Sequence, residues 1–565
     1  GLGMMVLGSW LYGGDPAANL EAGELFADLN AALETGYFED LLARIFLRNP
    51  HTCEVLLVPS PVAGQERQER EAARLQEEQD AWKGGRKTAL LAQQEKRLAW
   101  QSSPDTAEAL AALPRLRLSD IPPQPENIPT EVEEVDGLPL LRHAIPTGGV
   151  DYVNLYFEVS DLEAEQISGL SFLCTLLGIL DTQRYAAMEL QRLNRLNLGS
   201  LRFSLEPYGE LNQPENCRVF LCAAFSAVEE KLPQAISLVT EILTGTKFDN
   251  VQKIHELLRQ IVAGMEPGIA AGGTTFASTR VAAGSSSTGA VQEYAGGIAY
   301  YQWLKGLEQN FDNRIGPLLT ELKALYARAV TTGRLTMSIT GQDSKAADTL
   351  RETLLDRLAS TLRAELTCAI ASRGVRREGI VVPADVSFAV MGGNLLPYGW
   401  TYHGSAPVLG KVMTLGYLWG AVRIQGGAYG TGFGVGDNVI ASFYSYRDPH
   451  AAHSLGCYRQ APAFIRQLPG TMPGLTDFII GAVADAEPYM TPPRQGRMAD
   501  SLYWRNISYA ERCRRRQELL TVTPAGLTAF AEPLEKLMET ASICVIGGQR
   551  QLDACREELD EVFSL

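Results

Sequence analysis

The spacing of hydrophobic and polar residues divides most of the chain into strands and helices. Tyr152–Val159 alternates apolar and polar positions, as a half-buried strand does, whereas Val251–Gly264 has the spacing of an amphipathic helix. The same reasoning predicts further strands at Leu138–Ala144, Leu201–Leu205, Arg218–Phe225 and Arg334–Gln342, and further helices at Ala164–Leu180, Tyr185–Leu196, Glu229–Thr244 and Lys345–Thr367. Strands that come first and helices that are grouped after them favour an α+β fold over a doubly wound one.

The same plan recurs in the last third of the chain. Strands are predicted at Asp385–Val390 and Val439–Tyr446, with a helix at Val408–Ile424 between them. The closing strands of the two segments also correspond, because Thr336–Gln342 and Ser542–Gln549 each run from apolar residues into Gly and Gln. This internal duplication predicts two α+β domains, each a sheet with helices packed on one face.

The residues before these domains have a different pattern. Leu20–Leu47 has helical spacing, and Cys53–Val58 reads as a strand that ends at Pro59. Gln65–Trp100 is dense in helix-forming residues and is interrupted at Gly84–Gly85, which predicts a helical hairpin; heptad positions are too rarely apolar for a coiled coil. We expect the first segment to be the tail of another domain of the same kind.

Proline-rich or charged stretches separate these parts. Leu118–Glu134 contains four prolines, and Arg373–Pro383 lacks a clear period, so both are predicted to be linkers. The predicted organisation is a domain tail (1–62), a hairpin and linker (63–124), and two α+β domains (125–370 and 371–565).

The charge balance limits the class of partner. The chain has 50 Lys and Arg against 66 Asp and Glu, a net charge of −16 at pH 7. Nucleic acid is an unsuitable partner for so acidic a protein, because phosphate binding needs a basic surface. The acidity fits a cationic peptide substrate steered into an acidic cavity, and it also fits the simpler explanation that acidic residues maintain solubility.

Cysteine usage and apolar segments indicate a compartment. The nine cysteines are dispersed and form no Cys-x-x-Cys pair, which indicates reduced thiols in a bacterial-type cytoplasm or an organellar matrix. No apolar stretch reaches the length of a membrane span, so no membrane partner is expected. No targeting segment is visible at Gly1–Val6, which lacks a basic region and reads as the interior of an element.

Histidine spacing argues against a metal site in this chain. Zinc peptidases need two histidines one helical turn apart and a Glu that activates water. His255–Arg259 begins like His-Glu-x-x-His but ends in Arg, His51–Val55 begins like His-x-x-Glu-His but ends in Val, and His450 and His453 lack an intervening Glu. We therefore predict no metal ligands here.

Two Gly-rich segments are candidates for binding. Ala283–Gly289 is small and polar but lacks the following Lys of a phosphate loop, so it is interpreted as a mobile surface loop. The second segment combines a predicted helix ending near Arg423, the pair Gly426 and Gly427, and Tyr429. Arg offers a fork of donors for carbonyl or carboxylate groups, and a Tyr hydroxyl can stabilise an oxyanion. A helix C-cap followed by a Gly-rich edge strand explains the same residues without any function.

A resemblance to a known family adds to this interpretation. Arg423–Tyr429, followed by Phe443–Pro449, resembles the presequence proteases of the pitrilysin and insulinase clan. Trp10–Pro16, Asn49–His51 and Gly268–Arg280 resemble the same family in the same order, so the likeness spans essentially the whole chain.

The resemblance implies a fold, an activity and site residues. It implies four similar α+β domains in two halves, joined by a helical hairpin and closing around a peptide chamber. The zinc motif, His-x-x-Glu-His, belongs to the first domain of the family, so a zinc cofactor is expected only in the full-length enzyme and none in this chain. Arg423 and Tyr429 match the family's substrate-binding Arg and Tyr. We assign Tyr429 as the catalytic residue, with Arg423, Gly426 and Gly427 as substrate-binding residues.

Two functions remain open at this point. In the first, the chain is the substrate-enclosing C-terminal half of a zinc endopeptidase that degrades unstructured peptides, inactive alone and partnered by an N-terminal catalytic half. In the second, it is a non-catalytic peptide-binding or scaffold subunit of the same clan. An upstream His-x-x-Glu-His in the reading frame would favour the first hypothesis.

Overall fold

The computed structural model describes residues 2–18, 20–103, 105–342, 344–472 and 474–565. The chain forms two compact units, Gly1–Pro114 and Arg115–Leu565. In the described residues, no helix is both long enough and apolar enough to cross a membrane.

The first unit is helical. Its α-helices are Leu2–Trp10, Ala22–Ala32, Tyr37–Leu42, Ala63–Asp80, Arg86–Ser102 and Ala107–Ala112, with a π-helical turn at Ala43–Leu47. The helices Ala63–Asp80 and Arg86–Ser102 are polar on all sides, and the predicted break at Gly84–Gly85 lies between them. The predicted strand at Cys53–Val58 is wrong. This apolar run is exposed and pairs with no strand among the described residues, and a strand needs such a partner for its backbone groups.

The second unit begins with a six-stranded sheet. Its strands are β1 (Glu131–Val135), β2 (Leu138–His143), β3 (Val150–Glu158), β4 (Ser200–Glu210), β5 (Gln213–Val228) and β6 (Leu335–Thr340), in the spatial order β1-β2-β6-β3-β5-β4. Its helices are Ala164–Leu176, Ala187–Asn197, Leu232–Gly245, Val251–Ala271, Gly273–Ala283, Ser287–Gly296, Ile298–Gln309, Phe311–Ala329 and Ala346–Thr353. The helices bury one face of the sheet through inward residues such as Leu155 and Phe157 of β3.

A second six-stranded sheet follows. Its strands are β7 (Arg377–Val381), β8 (Ser387–Asn394), β9 (Gly430–Val435), β10 (Ile440–Asp448), β11 (Ser542–Gly547) and β12 (Glu561–Ser564), in the order β12-β7-β11-β8-β10-β9. Its helices are Ala406–Met413, the π-helix Thr414–Gln425, Ala451–Arg466, Leu475–Ala486, Pro492–Trp504, Tyr509–Leu520, Pro524–Thr528, Ala531–Thr540 and Gln549–Ala554.

The strand orders confirm the predicted duplication. The closing strands β6 and β11 occupy the same third position, each parallel to one neighbour (β2 or β7) and antiparallel to the other (β3 or β8). The similarity of Thr336–Gln342 and Ser542–Gln549 in the sequence therefore reflects equivalent central strands. The fold class is α+β with two repeated domains, as predicted.

Helix Pro492–Trp504 of the second repeat packs on the other face of the first sheet. Trp504 joins Leu141, Tyr156 and Phe220, whose neighbours in sequence face the helical side. Arg497 of the same helix donates to both carboxylate oxygens of Glu206 on β4, at 2.7 and 2.8 Å. The two repeats are thus joined by a buried face as well as by the chain.

The segment between the sheets differs from its prediction in two places. The predicted helix Lys345–Thr367 ends at Thr353, because residues beyond it bond to the first repeat: the Thr332 N–H donates to the Ala359 carbonyl, and Arg363 donates to the Leu335 carbonyl. The predicted linker Arg373–Pro383 contains β7, whose charged Glu378 disguised a buried strand.

The interpretation of Ala283–Gly289 as a mobile surface loop is wrong. The segment joins two buried helices, and Ser285, Ser286 and Ser287 are buried. The Ser286 hydroxyl caps the second helix by accepting from the Gly289 N–H at 3.1 Å and donates to the Ala282 carbonyl at 3.0 Å. Small residues are needed here because a Cβ on Gly289 would lie 2.3 Å from the Ala282 backbone.

Candidate functional site

The candidate site begins on a π-helix. The predicted helix Val408–Ile424 is α-helical over Ala406–Met413 and continues as a π-helix over Thr414–Gln425, with Arg423 in its last turn. The wider spacing continues to the end, where the Gly426 N–H donates to the Ala421 carbonyl at 3.1 Å. Such segments are rare and occur frequently at functional sites.

The glycine pair makes the turn that follows. Gly427 has φ of +81°, a left-handed conformation that favours glycine. A Cβ on Gly426 would lie 2.5 Å from the Val422 carbonyl oxygen and 3.0 Å from the His453 ring. The structure therefore gives these glycines a tight turn, which was one of the two roles expected from the sequence.

The turn delivers Tyr429 to the start of β9. Its backbone N–H donates to the Tyr446 carbonyl at 3.0 Å, which fixes the residue against the neighbouring β10. Its ring packs edge-on against Tyr446, with 6.0 Å between the ring centroids. The side chain remains 69% exposed, and no described residue bonds to its hydroxyl. The hydroxyl is therefore fixed in position yet open to a ligand.

Arg423 lies beside Tyr429 and is held by aromatic rings. Its guanidinium carbon is 4.0 Å from the centroid of the Trp419 ring and 5.8 Å from that of Tyr429. No carboxylate of the described residues forms an ion pair with it. A guanidinium stacked on an indole keeps its in-plane N–H donors available.

The arrangement presents two donors next to one another on a partly exposed aromatic surface. Arg423 and Tyr429 come together because the Gly426–Gly427 turn reverses the chain between them. A guanidinium and a phenol placed in this way can bind the carbonyl oxygens of an extended peptide or a carboxylate.

The sequence reasoning missed Trp419 and Tyr446. Trp419 lies four residues before Arg423, which is the spacing at which helical side chains meet, and that spacing was a usable signal. Tyr446 comes from a separate strand, so only the β9–β10 pairing brings it to the site.

The histidines considered as ligands have other contacts. His255 stacks on Phe311 with ring centroids 4.0 Å apart, and His453 places Nε2 3.0 Å from the Ala421 carbonyl oxygen of the π-helix. Across the described ranges, no group of three or more His, Cys, Asp or Glu side chains could hold a metal ion. These residues do not fit the zinc that the resemblance implies, and no chemical step is assigned to a metal in this chain.

Comparisons with known proteins agree with this architecture. Residues 57–307 match the family model of the region associated with peptidase family M16, subfamily C, and residues 377–548 match "PreP C-terminal domain". Protein HypA of Clostridium perfringens is 27% identical over 100% of this chain and 58% of its own length. Presequence protease 1, chloroplastic/mitochondrial, of Arabidopsis thaliana is 26% identical over 100% of this chain and 53% of its own length. The chain thus spans about half the length of the curated relatives it matches.

Solved structures share the fold at low identity. A protease from Helicobacter pylori superposes with a TM-score of 0.55 and 12% identity, covering 74% of this chain and 99% of that one. A peptidase M16 inactive domain from Pseudomonas fluorescens gives 0.52 and 13%, covering 75% and 98%.

Fold and family models together define a chain of the M16 peptidase class. Within that class it belongs to the presequence-protease family and corresponds to the C-terminal half of such proteins.

Proposed function

We propose that the chain is the substrate-enclosing C-terminal half of a zinc-dependent endopeptidase that degrades unstructured peptides. The observation that carries the proposal is the exposed Arg423–Tyr429 pair, whose donors lack described partners and are fixed by Trp419 and the Gly426–Gly427 turn. An unstructured peptide suits this pair because its backbone carbonyls are not engaged in secondary structure.

In this proposal Arg423 binds the substrate backbone near the scissile bond. Its stacking on Trp419 fixes the guanidinium before the peptide arrives, so less conformational entropy is lost on binding. The interaction is made in the ground state and therefore contributes mainly to KM.

Tyr429 acts on the scissile carbonyl. As that oxygen gains negative charge, a phenol hydroxyl aimed at it donates a stronger hydrogen bond than it does to the neutral carbonyl. The fixed backbone of Tyr429 and the packing of its ring on Tyr446 hold the hydroxyl in place for this role. The interaction contributes mainly to kcat.

The remaining components lie outside this chain in the proposal. A zinc ion, which activates the attacking water in such enzymes, would be bound by an N-terminal half that carries the His-x-x-Glu-His motif. We retain the division into 1–62, 63–124, 125–370 and 371–565 as the proposed domain boundaries. The proposed compartment is a bacterial-type cytoplasm or an organellar matrix.

Substitution of Tyr429 tests the proposal. In the enzyme assembled from this chain and its N-terminal half, Tyr429→Phe should lower kcat roughly ten- to a thousandfold, the range for loss of one oxyanion donor. Arg423→Ala should raise KM, whereas Arg550→Ala removes an exposed charge outside the site and should change neither constant. Steady-state cleavage of a fluorogenic peptide measures both. A Tyr429→Phe enzyme with kcat/KM within about twofold of wild type, or ~0.5 kcal/mol, would overturn the assignment.

A further inference from the structure

Two cysteines far apart in the sequence lie together in the second unit. The Sγ atoms of Cys217 and Cys368 are 3.2 Å apart, although 151 residues separate them. Cys217 is buried on β5, whereas Cys368 is partly exposed in the segment that leads from the first sheet to the second. A disulfide bond joins sulfur atoms about 2.05 Å apart, so a small movement would bring these two within bonding distance.

Hydrogen bonds hold Cys368 in this position. The N–H of Ala369 donates to the Ser160 carbonyl at 2.9 Å, and the N–H of Arg373 donates to the Ala283 carbonyl at 2.7 Å. The N–H of Ser372 also donates to the Glu215 carboxylate at 3.2 Å, two residues from Cys217. The segment that carries Cys368 is therefore bound to the first sheet and its helices next to the thiol pair.

We propose that Cys217 and Cys368 form a redox modification site, at which a peroxide joins the connecting segment to β5 through a disulfide bond. The partly exposed Cys368 meets the oxidant, and the buried Cys217 resolves the product. Nothing in this proposal depends on the peptidase function proposed above.

The electrostatics of the pair fit these roles. The hydrogen bond from the Cys217 thiol lowers the pKa of Cys368 to about 7, and the same interaction raises the pKa of Cys217. By contrast, burial raises the pKa of Cys174 to about 12 and that of Cys555 to about 11. Reactive cysteines are those with an accessible thiolate and a resolving thiol next to it.

The reaction balances with hydrogen peroxide as the oxidant. The Cys368 thiolate attacks one peroxide oxygen, the O–O bond breaks, and the departing hydroxide takes a proton to leave as water. The Cys217 sulfur then attacks the resulting sulfenic acid, forms the S–S bond and expels its hydroxyl, which leaves as a second water with the thiol proton. Two thiols are oxidised and one peroxide is reduced to two waters.

Peptide mapping tests the site directly. Trypsin should release Phe203–Arg218 and Ala364–Arg373, each of which contains a single cysteine. After treatment of the folded 565-residue chain with hydrogen peroxide and alkylation of remaining thiols, mass spectrometry without reductant should find these two peptides joined. The same treatment in urea should lose the preference for this pair, because the folded structure places the thiols together.

Variants separate the site from general oxidation. Cys368→Ser should abolish the joined peptides, whereas Cys513→Ser, which removes another partly exposed thiol, should leave them unchanged. Oxidation should also raise the midpoint of thermal unfolding by several degrees in wild type and in Cys513→Ser, but not in Cys368→Ser, because a crosslink across a long loop restricts the unfolded chain. Recovery of Cys368 from peroxide-treated wild type as a free thiol, as a sulfinic acid or joined to a different cysteine would overturn the proposal.

Discussion

Asp500 shows how one side chain joins the two repeats. It lies fully buried on helix Pro492–Trp504 and accepts hydrogen bonds from the side chains of Asn154, Tyr156 and Ser338, at 2.9, 2.8 and 2.7 Å. A further oxygen contact joins it to Nε2 of the buried His143 at 2.9 Å. A carboxylate with this many donors is stable in the interior, but each donor depends on it.

Replacement of Asp500 should therefore destabilise the second unit. Asp500→Asn puts an NH₂ donor among groups that also donate, and we expect it to lower stability by roughly 2–4 kcal/mol. Asp477→Asn, an exposed acid in the neighbouring helix Leu475–Ala486, should change stability by less than about 0.5 kcal/mol. Thermal unfolding followed by circular dichroism measures both, and an Asp500→Asn protein as stable as the Asp477 control would contradict this interpretation.

Residue-level predictions succeeded where the partners are close in sequence. Arg423 and Tyr429 could be paired from sequence because six positions and a Gly–Gly turn separate them. The contact between His143 and Asp500 spans 357 residues, and that between the two thiols spans 151. No spacing rule reaches such contacts, because they depend on which strands become neighbours and which helix crosses them.

At the scale of elements, the turn after the π-helix is a point of strain. Gly427 is left-handed at φ of +81°, and a Cβ there would make only an ordinary 3.4 Å contact with Pro449. Any loss on substitution must therefore come from the backbone conformation and not from steric overlap. Gly420, within the π-helix, has open space for a Cβ and no such backbone requirement.

Alanine at these two glycines should give opposite results. Gly427→Ala should destabilise the protein by roughly 1–2 kcal/mol, the cost of a left-handed conformation for an L-residue, and should also reduce kcat/KM by displacing Tyr429. Gly420→Ala should leave stability unchanged or raise it by up to about 1 kcal/mol. Urea unfolding and peptide cleavage measure the two effects. Equal behaviour of the two variants would show that the turn is not strained.

Elements with a strong local period were predicted well, and those defined by tertiary pairing were not. The alternating β3 and the amphipathic helix Val251–Ala271 appear close to their predicted bounds. The charged β7 was missed because its strand character comes from pairing with β11 and β12 on either side. Cys53–Val58 failed in the opposite sense, since it has strand composition but no described partner.

The whole second unit consists of two similar sheets joined by a shared buried face. Helix Pro492–Trp504 of the second repeat covers the first sheet through Trp504, Arg497 and Asp500. This arrangement makes the pair of repeats one stable body that carries the Arg423–Tyr429 site without supplying described metal ligands. The proposed peptidase therefore requires a second half to complete its chemistry.

A reconstitution assay tests this claim most directly. The 565-residue chain is mixed with a separately purified N-terminal half that carries His-x-x-Glu-His, and cleavage of a fluorogenic peptide is followed. Sedimentation velocity measures association independently of activity. We predict that each half alone is inactive, that the associated halves cleave the peptide, and that Tyr429→Phe associates normally but restores little cleavage. EDTA-sensitive cleavage by this chain alone, or full activity of the N-terminal half without it, would contradict the account.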